Sequence, residues 1–365
     1  MKPFILLFFL TFVFSVYSQE TLSEEGPGSG LDRKRNFYVQ LGKAEWKSGS
    51  LGNMYSVQRS RAVNTLLGLP FDSSSFPVHG GTPSYLDAKA LTFGVRLGSS
   101  ARHRANLMLR YVTTDDLKYS TAAREQANID LLFLRVQSFE NRIEMTKANP
   151  LKRGLFQYDH DIYLLPDHSS KFLQGLGIKV GFALQGDNVK GNTTPYGNVS
   201  SVTAPSLFSF SSGSTSTNSF IYPIPGKFDQ TDYSGYVILG LSYRLALAKN
   251  QELDFSYSIL NGKANGSSVQ TSYALFNGNL PYQVGTKTTY EGAVTGNAVN
   301  LGYSYFFNEK FFVRAGYETR DLSYKLEHLK TKAVSGTSSP YRDYGPYPTY
   351  KDSIKYYTVE FAYRF

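Results

Sequence analysis

The chain has 365 residues, a net charge of +9 from 38 Lys and Arg against 29 Asp and Glu, and no Cys, which excludes disulfides, thiol catalysis and thiolate metal sites. It is rich in Tyr (28), Phe (26) and Gly (32) with a single Trp, yet hydrophilic on average. The positive charges are dispersed rather than gathered into a stripe, which argues against a nucleic-acid partner and leaves anionic surfaces as the electrostatic preference.

Residues 1–18 carry one charge, Lys2, then an apolar run from Phe4 to Phe14 and a Val16-Tyr-Ser18 ending. That is the layout of a cleaved signal peptide. Eleven or so apolar residues are too few to cross a bilayer as a helix, and no later segment reaches the roughly 20 that one requires. A flexible, Gly- and Pro-containing lead follows over residues 19–35, and from residue 36 the pattern changes to strands.

The first alternating run is Asn36 to Trp46, with Phe37, Val39 and Leu41 on one face. Leu86 to Leu97 turns through Ser99 to His103 into Ala105 to Thr114; Leu155 to Leu165 turns through Pro166 to Ser170 into Phe172 to Leu184. Ser234 to Leu247 is followed at once by Glu252 to Leu260, and Val294 to Phe307 by Phe311 to Tyr324. The last run, Lys355 to Phe365, sets Tyr357, Val359, Phe361, Tyr363 and Phe365 on one face and Glu360 and Arg364 on the other. Short turns therefore alternate with long connections near residues 47–84, 118–152, 186–230, 262–290 and 327–350. Residues 122–148 read best as a helix or a loop folded over a mouth, with Asn149-Pro150 as its end. Read instead as two strands, they would raise the count from ten to twelve.

An aromatic C-terminal strand, paired strands and short turns on one side resemble the bacterial outer-membrane β-barrels, of a porin-like type and with features of the spirochaete kind. The resemblance implies an all-β fold: an antiparallel up-and-down transmembrane barrel of about ten strands spanning residues 36–365, with short periplasmic turns and long extracellular loops. It also implies outer-membrane lipid as surroundings and a barrel assembly machinery that reads the terminal row Tyr357, Val359, Phe361, Tyr363 and Phe365.

With the greasy rows facing lipid, the opposite rows line the lumen. They carry Arg96, Arg110, Lys179, Arg244, Arg314 and Arg364 against Asp159, Asp161, Asp254, Glu318 and Glu360. Two readings follow: ion pairs that fill a narrow barrel, or a small passive diffusion pore with a modestly basic wall. The pore for small solutes is the expected function. A closed surface barrel whose loops bind host or environmental molecules is the alternative, with the Tyr-rich stretch Tyr341 to Tyr350 as an anchor surface. The densest chemical cluster, Asp159-His160-Asp161, puts its His on the other side of the pleat from both carboxylates. The five His show no metal-ligand spacing. The expectation is accordingly no enzyme, no cofactor and no metal.

Overall fold

The computed structural model describes residues 35–49, 85–98, 102–131, 134–204, 214–221, 226–276, 280–333, 342–343 and 349–364. In chain order the strands are β1 (Asn36–Lys47), β2 (Leu86–Gly98), β3 (His103–Thr114), β4 (Leu117–Leu131), β5 (Leu134–Ala148), β6 (Lys152–Tyr163), β7 (Leu176–Ala204) and β8 (Ser214–Ile221). There follow β9 (Gly226–Ala248), β10 (Gln251–Phe276), β11 (Leu280–Phe306), β12 (Phe311–Ala333), β13 (Arg342–Asp343) and β14 (Thr349–Arg364).

Ten of these close a ring of antiparallel neighbours: β1, β2, β3, β6, β7, β9, β10, β11, β12 and β14. Closure is made by β1 on β14, in a register that sets Phe37 beside Tyr363, Val39 beside Phe361 and Leu41 beside Val359. A closed ring has no free edge, so every backbone group at membrane depth finds its partner in the next strand. The two barrel ends, Asn36 and Arg364, pair with each other at the end that carries the short turns, which is the periplasmic end.

The side-chain rows are inverted relative to a soluble protein. In β14, Val359 and Phe361 are 44% and 55% exposed, whereas Glu360 between them is 0% exposed. Leu109 and Leu239 face out in the same way. Only a hydrocarbon solvent makes an apolar exterior around a charged interior favourable. On the extracellular side this apolar row gives way to charge, where Lys43 pairs with Asp87 at 3.0 Å and Lys89 with Asp115 at 3.5 Å.

Three sequence expectations change. Residues 122–148 are not a helix: β4 and β5 form a hairpin, and β5 pairs with the far half of β7, Ala148 opposite Gly191 through Arg135 opposite Ala204. Beyond the barrel that half of β7 presents an open edge, and strand pairing satisfies it where a helix would not. The hairpin lies outside the closed ring, so the barrel keeps ten strands rather than twelve. Much of the expected loops at 186–230, 262–290 and 327–350 is strand as well, since β10 and β11 stay in register from Gln251 opposite Tyr305 to Phe276 opposite Leu280. Finally, Phe172 does not begin a strand but sits in α1 (Lys171–Gln174), one turn that precedes β7.

That turn ends on Gly175, where a Cβ would lie 1.6 Å from the Arg244 carbonyl oxygen. The backbone of Arg244 donates to the Gly175 carbonyl at 2.9 Å, so the two strands meet too closely for any side chain. Gly175→Ala is expected to lower the urea midpoint of the folded barrel by an amount equivalent to about 1–3 kcal/mol or more, as overpacking against rigid backbone does. An unchanged midpoint would contradict the close approach. The expected signal peptide, the lead up to residue 34, and Phe365 lie outside the described residues.

Candidate functional site

The inward rows meet in the barrel as stacked layers of paired charge. Nearest the periplasm, Arg244 pairs with Glu252, Arg104 lies 3.9 Å from the same carboxylate, and Lys179 reaches Asp161 at 3.5 Å. The Arg364 guanidinium stacks over Phe306, 4.4 Å from the ring centroid. In the next layer Arg96 grips Glu360 with both nitrogens at 2.5 and 2.6 Å, and Arg314 grips Asp254 the same way at 2.9 and 2.5 Å. Gly302 makes the second grip possible, because a Cβ there would stand 2.1 Å from the Arg314 guanidinium. Glu318 then accepts from Arg110 at 2.9 Å and from Arg320 at 2.8 Å, while Asp159 is buried and accepts from Gln157. All eleven residues that the inward rows predicted, from Arg96 to Arg364, thus lie inside the barrel wall or at its inner mouth.

Above them, beyond the point where the outer apolar row gives way to charge, the interior turns apolar on one side. Trp46, Val112, Leu151, Val189 and Ile354 are fully buried in one cluster. Arg153 lies against it, 4.3 Å from the Trp46 ring, and its guanidinium bonds Asp187 at 2.7 and 2.7 Å and Asp352 at 2.9 and 2.8 Å. Burial works to lower the Arg153 pKa, but the two carboxylates outweigh it and hold the value well above the ordinary one. An interior cavity of about 100 Å3 remains between the charged layers, room for a few waters.

Sequence reading missed Arg104, Arg153, Arg320, Asp187, Glu252 and Asp352. Arg153, Asp187 and Asp352 fell just beyond the strand ends drawn from hydrophobic alternation, although each shares parity with inward neighbours (Leu155, Gln185 and Ile354) and so carried a usable signal. It also missed a His pair. His103 Nδ1 and His160 Nε2 are 3.0 Å apart across β3 and β6, with the Tyr158 hydroxyl 3.2 Å from His160 Nδ1. The Asp159-His160-Asp161 cluster itself divides across the pleat as expected, Asp159 and Asp161 inward and His160 toward His103.

At the extracellular end a cleft opens between β7, β9, β10, β11, β12 and β14, lined by Asp187, Asp232, Ser234, Tyr290, Tyr324 and Tyr350 among others. Burial pushes the Tyr324 hydroxyl well above its ordinary pKa, so it is a neutral hydrogen-bonding group, 3.2 Å from Gln185. Tyr350 is the last residue of the stretch singled out in the sequence as an anchor surface; of the rest, Arg342, Asp343 and Thr349 are described and the others lie outside the described residues.

No family model and no curated protein matches the chain. Among solved structures it aligns with the outer membrane protease OmpT from Escherichia coli over 95% of this chain and 99% of that one, at 14% identity and a TM-score of 0.51. The fold is that of a bacterial outer-membrane β-barrel. The translocator domain of the autotransporter NalP from Neisseria meningitidis (11% identity, 98% and 95% coverage, TM-score 0.25) also aligns. So does the Pseudomonas putida toluene transporter TodX (6%, 91% and 90%, TM-score 0.23), and neither carries weight at that score. The spirochaete likeness finds no support in these structures.

The expectation that the chain is not an enzyme does not stand. That expectation rested on the divided Asp159-His160-Asp161 cluster and the spacing of the His residues, whereas a barrel matching nearly the whole length of this one is a protease. A barrel of this architecture is therefore compatible with catalysis, and a missing motif does not remove it.

Proposed function

We propose that the chain is a closed outer-membrane barrel whose working surface is its extracellular end, where it binds a surface or environmental molecule. The observation that carries this is the filled interior: Arg–carboxylate pairs and a buried apolar cluster occupy the space that a diffusion channel would need. Strand length supports it too. In β10 the exposed apolar row ends at Ile259 while the strand runs on to Phe276, about 55 Å further along the chain at about 3.3 Å per residue. Such an overshoot raises a walled surface above the lipid. Export by the signal peptide at residues 1–18, insertion through the terminal row ending in Phe365, and a location in the outer membrane belong to the same proposal.

The passive pore with a modestly basic wall is the second reading, favoured by the polar 100 Å3 cavity among the charged layers. A planar bilayer separates the two. The purified barrel is expected to leave the bilayer silent; discrete conductance steps, with an anion preference that weakens when Arg96, Arg110 and Arg244 become Glu, would establish the pore instead.

A further inference from the structure

The extracellular cleft has a composition that its place in the fold does not require. Asp187 and Asp232 are direct register partners on β7 and β9; Arg153 already neutralises Asp187, whereas Asp232 Oδ2 accepts from Gln230 at 3.0 Å. Three tyrosines from successive strands of the opposite wall, Tyr290, Tyr324 and Tyr350, complete it. Gly266 lets Tyr290 and Asp232 pack against the β10 backbone, since a Cβ there would come within 2.4 Å of the Tyr290 ring and 2.5 Å of Asp232 Oδ1. One group waits for a partner: Ser234 Oγ lines the cleft, is 7% exposed and has no hydrogen bond. A buried hydroxyl left in that state costs free energy that a ligand would recover.

Aromatic faces and carboxylates attract positive charge, and a hydroxyl and carboxylate oxygens accept N–H donors. The space in the cleft is about 30 Å3, under a third of the interior cavity, so it admits the N–H-bearing tip of a head group and not a whole drug-sized molecule. We propose that the cleft binds the head of a small hydrogen-bonding cation, a guanidinium or a primary ammonium group, carried on a peptide side chain or a free amine. This names the ligand class for the extracellular surface and rests on the closed-barrel reading above.

The test is calorimetric titration of the folded protein in detergent. Agmatine and N-acetyl-arginine amide are expected to bind saturably, and N-acetyl-citrulline amide, which has nearly the same shape without the charge, about tenfold or more weakly. The tighter of the two cations identifies the source, peptide or free amine. Tetramethylammonium, which has no N–H, should fail to compete. Asp232→Asn should cost about tenfold in affinity and Ser234→Ala about threefold, both with the heat-dependent gel shift of an intact barrel. Equal binding of the citrulline compound to the wild-type protein would overturn the proposal without any variant, as would undiminished affinity in Asp232→Asn. A silent bilayer with no cation binding sinks this inference alone, whereas conductance steps with binding intact sink the closed-barrel reading alone.

Discussion

Arg153→Met is expected to destabilise the folded barrel by about 3–5 kcal/mol, read as a lower urea midpoint in the heat-dependent gel shift. The guanidinium is 1% exposed and holds Asp187 and Asp352 together, so its loss strands two carboxylates in a space with little water. Asp352 keeps the Trp46 indole N–H at 3.1 Å and the Gly49 amide at 2.9 Å, which offset part of its cost. Asp187 loses its fork and still faces Asp232 in register. Because the pKa of Arg153 is raised in the folded state, its contribution is fully present below the ordinary guanidinium value and is lost only as pH climbs through the raised one. The contribution of Arg153 to the wild-type protein should therefore not vary through its own titration anywhere near neutral pH. Arg153→Lys should recover only part of the stability, since one ammonium cannot serve two carboxylates with four planar bonds. The chain has a single Trp, so a shift in Trp46 emission should accompany the loss of the stacked guanidinium. An Arg153→Met protein with the wild-type midpoint would show that the layer is ornamental.

Glu360→Leu is expected to cost a similar amount, about 3–5 kcal/mol, at membrane depth. Glu360 is 0% exposed and receives both nitrogens of Arg96, with Arg314 a further 3.7 Å away. Arg314 keeps Asp254, so the uncompensated charge is that of Arg96. It keeps the Tyr38 ring at 4.3 Å, which attracts a cation far less than a carboxylate does, and loses the only carboxylate in an ion pair with it among the described residues. Replacing both partners removes the stranded charge along with the pair. Arg96→Met with Glu360→Leu should therefore regain most of the stability, because a buried pair and its apolar replacement are close in free energy. If the double variant is no better than Glu360→Leu alone, the pair is not what holds these two strands' inner faces together.

Of these two residues the hydrophobic alternation placed Glu360 and stopped short of Arg153, whose only signal was its shared parity with Leu155. Glu360 sits in the middle of an unbroken alternation, Tyr357 to Tyr363, where one face is greasy and the other polar; period two then assigns it inward. Arg153 precedes Gly154, where the apolar row stops, and the strand continues as barrel wall above the lipid with no hydrophobic row to mark it. The same blindness hid the β4–β5 hairpin and the far halves of β7, β10 and β11. Beyond the bilayer a strand needs no greasy face, only a neighbour to pair with.

By itself the amino-acid sequence determined the strands at membrane depth, the face their side chains take there and the closing of the last strand on the first; whether the ring has ten strands or twelve was decided by the tertiary structure, which sets the β4–β5 hairpin outside it. These follow from local rules, alternation against hydrocarbon and short turns, that operate within a few residues. Which charge meets which was decided only by the tertiary structure: Arg153 with Asp352 and Arg96 with Glu360 meet across the lumen from strands far apart in the chain. That pairing depends on the stagger and tilt of a closed sheet, which set the height of every inward residue and are properties of no single strand. The stagger also brings His103 to His160 and gathers Asp232, Ser234 and three tyrosines around one cleft.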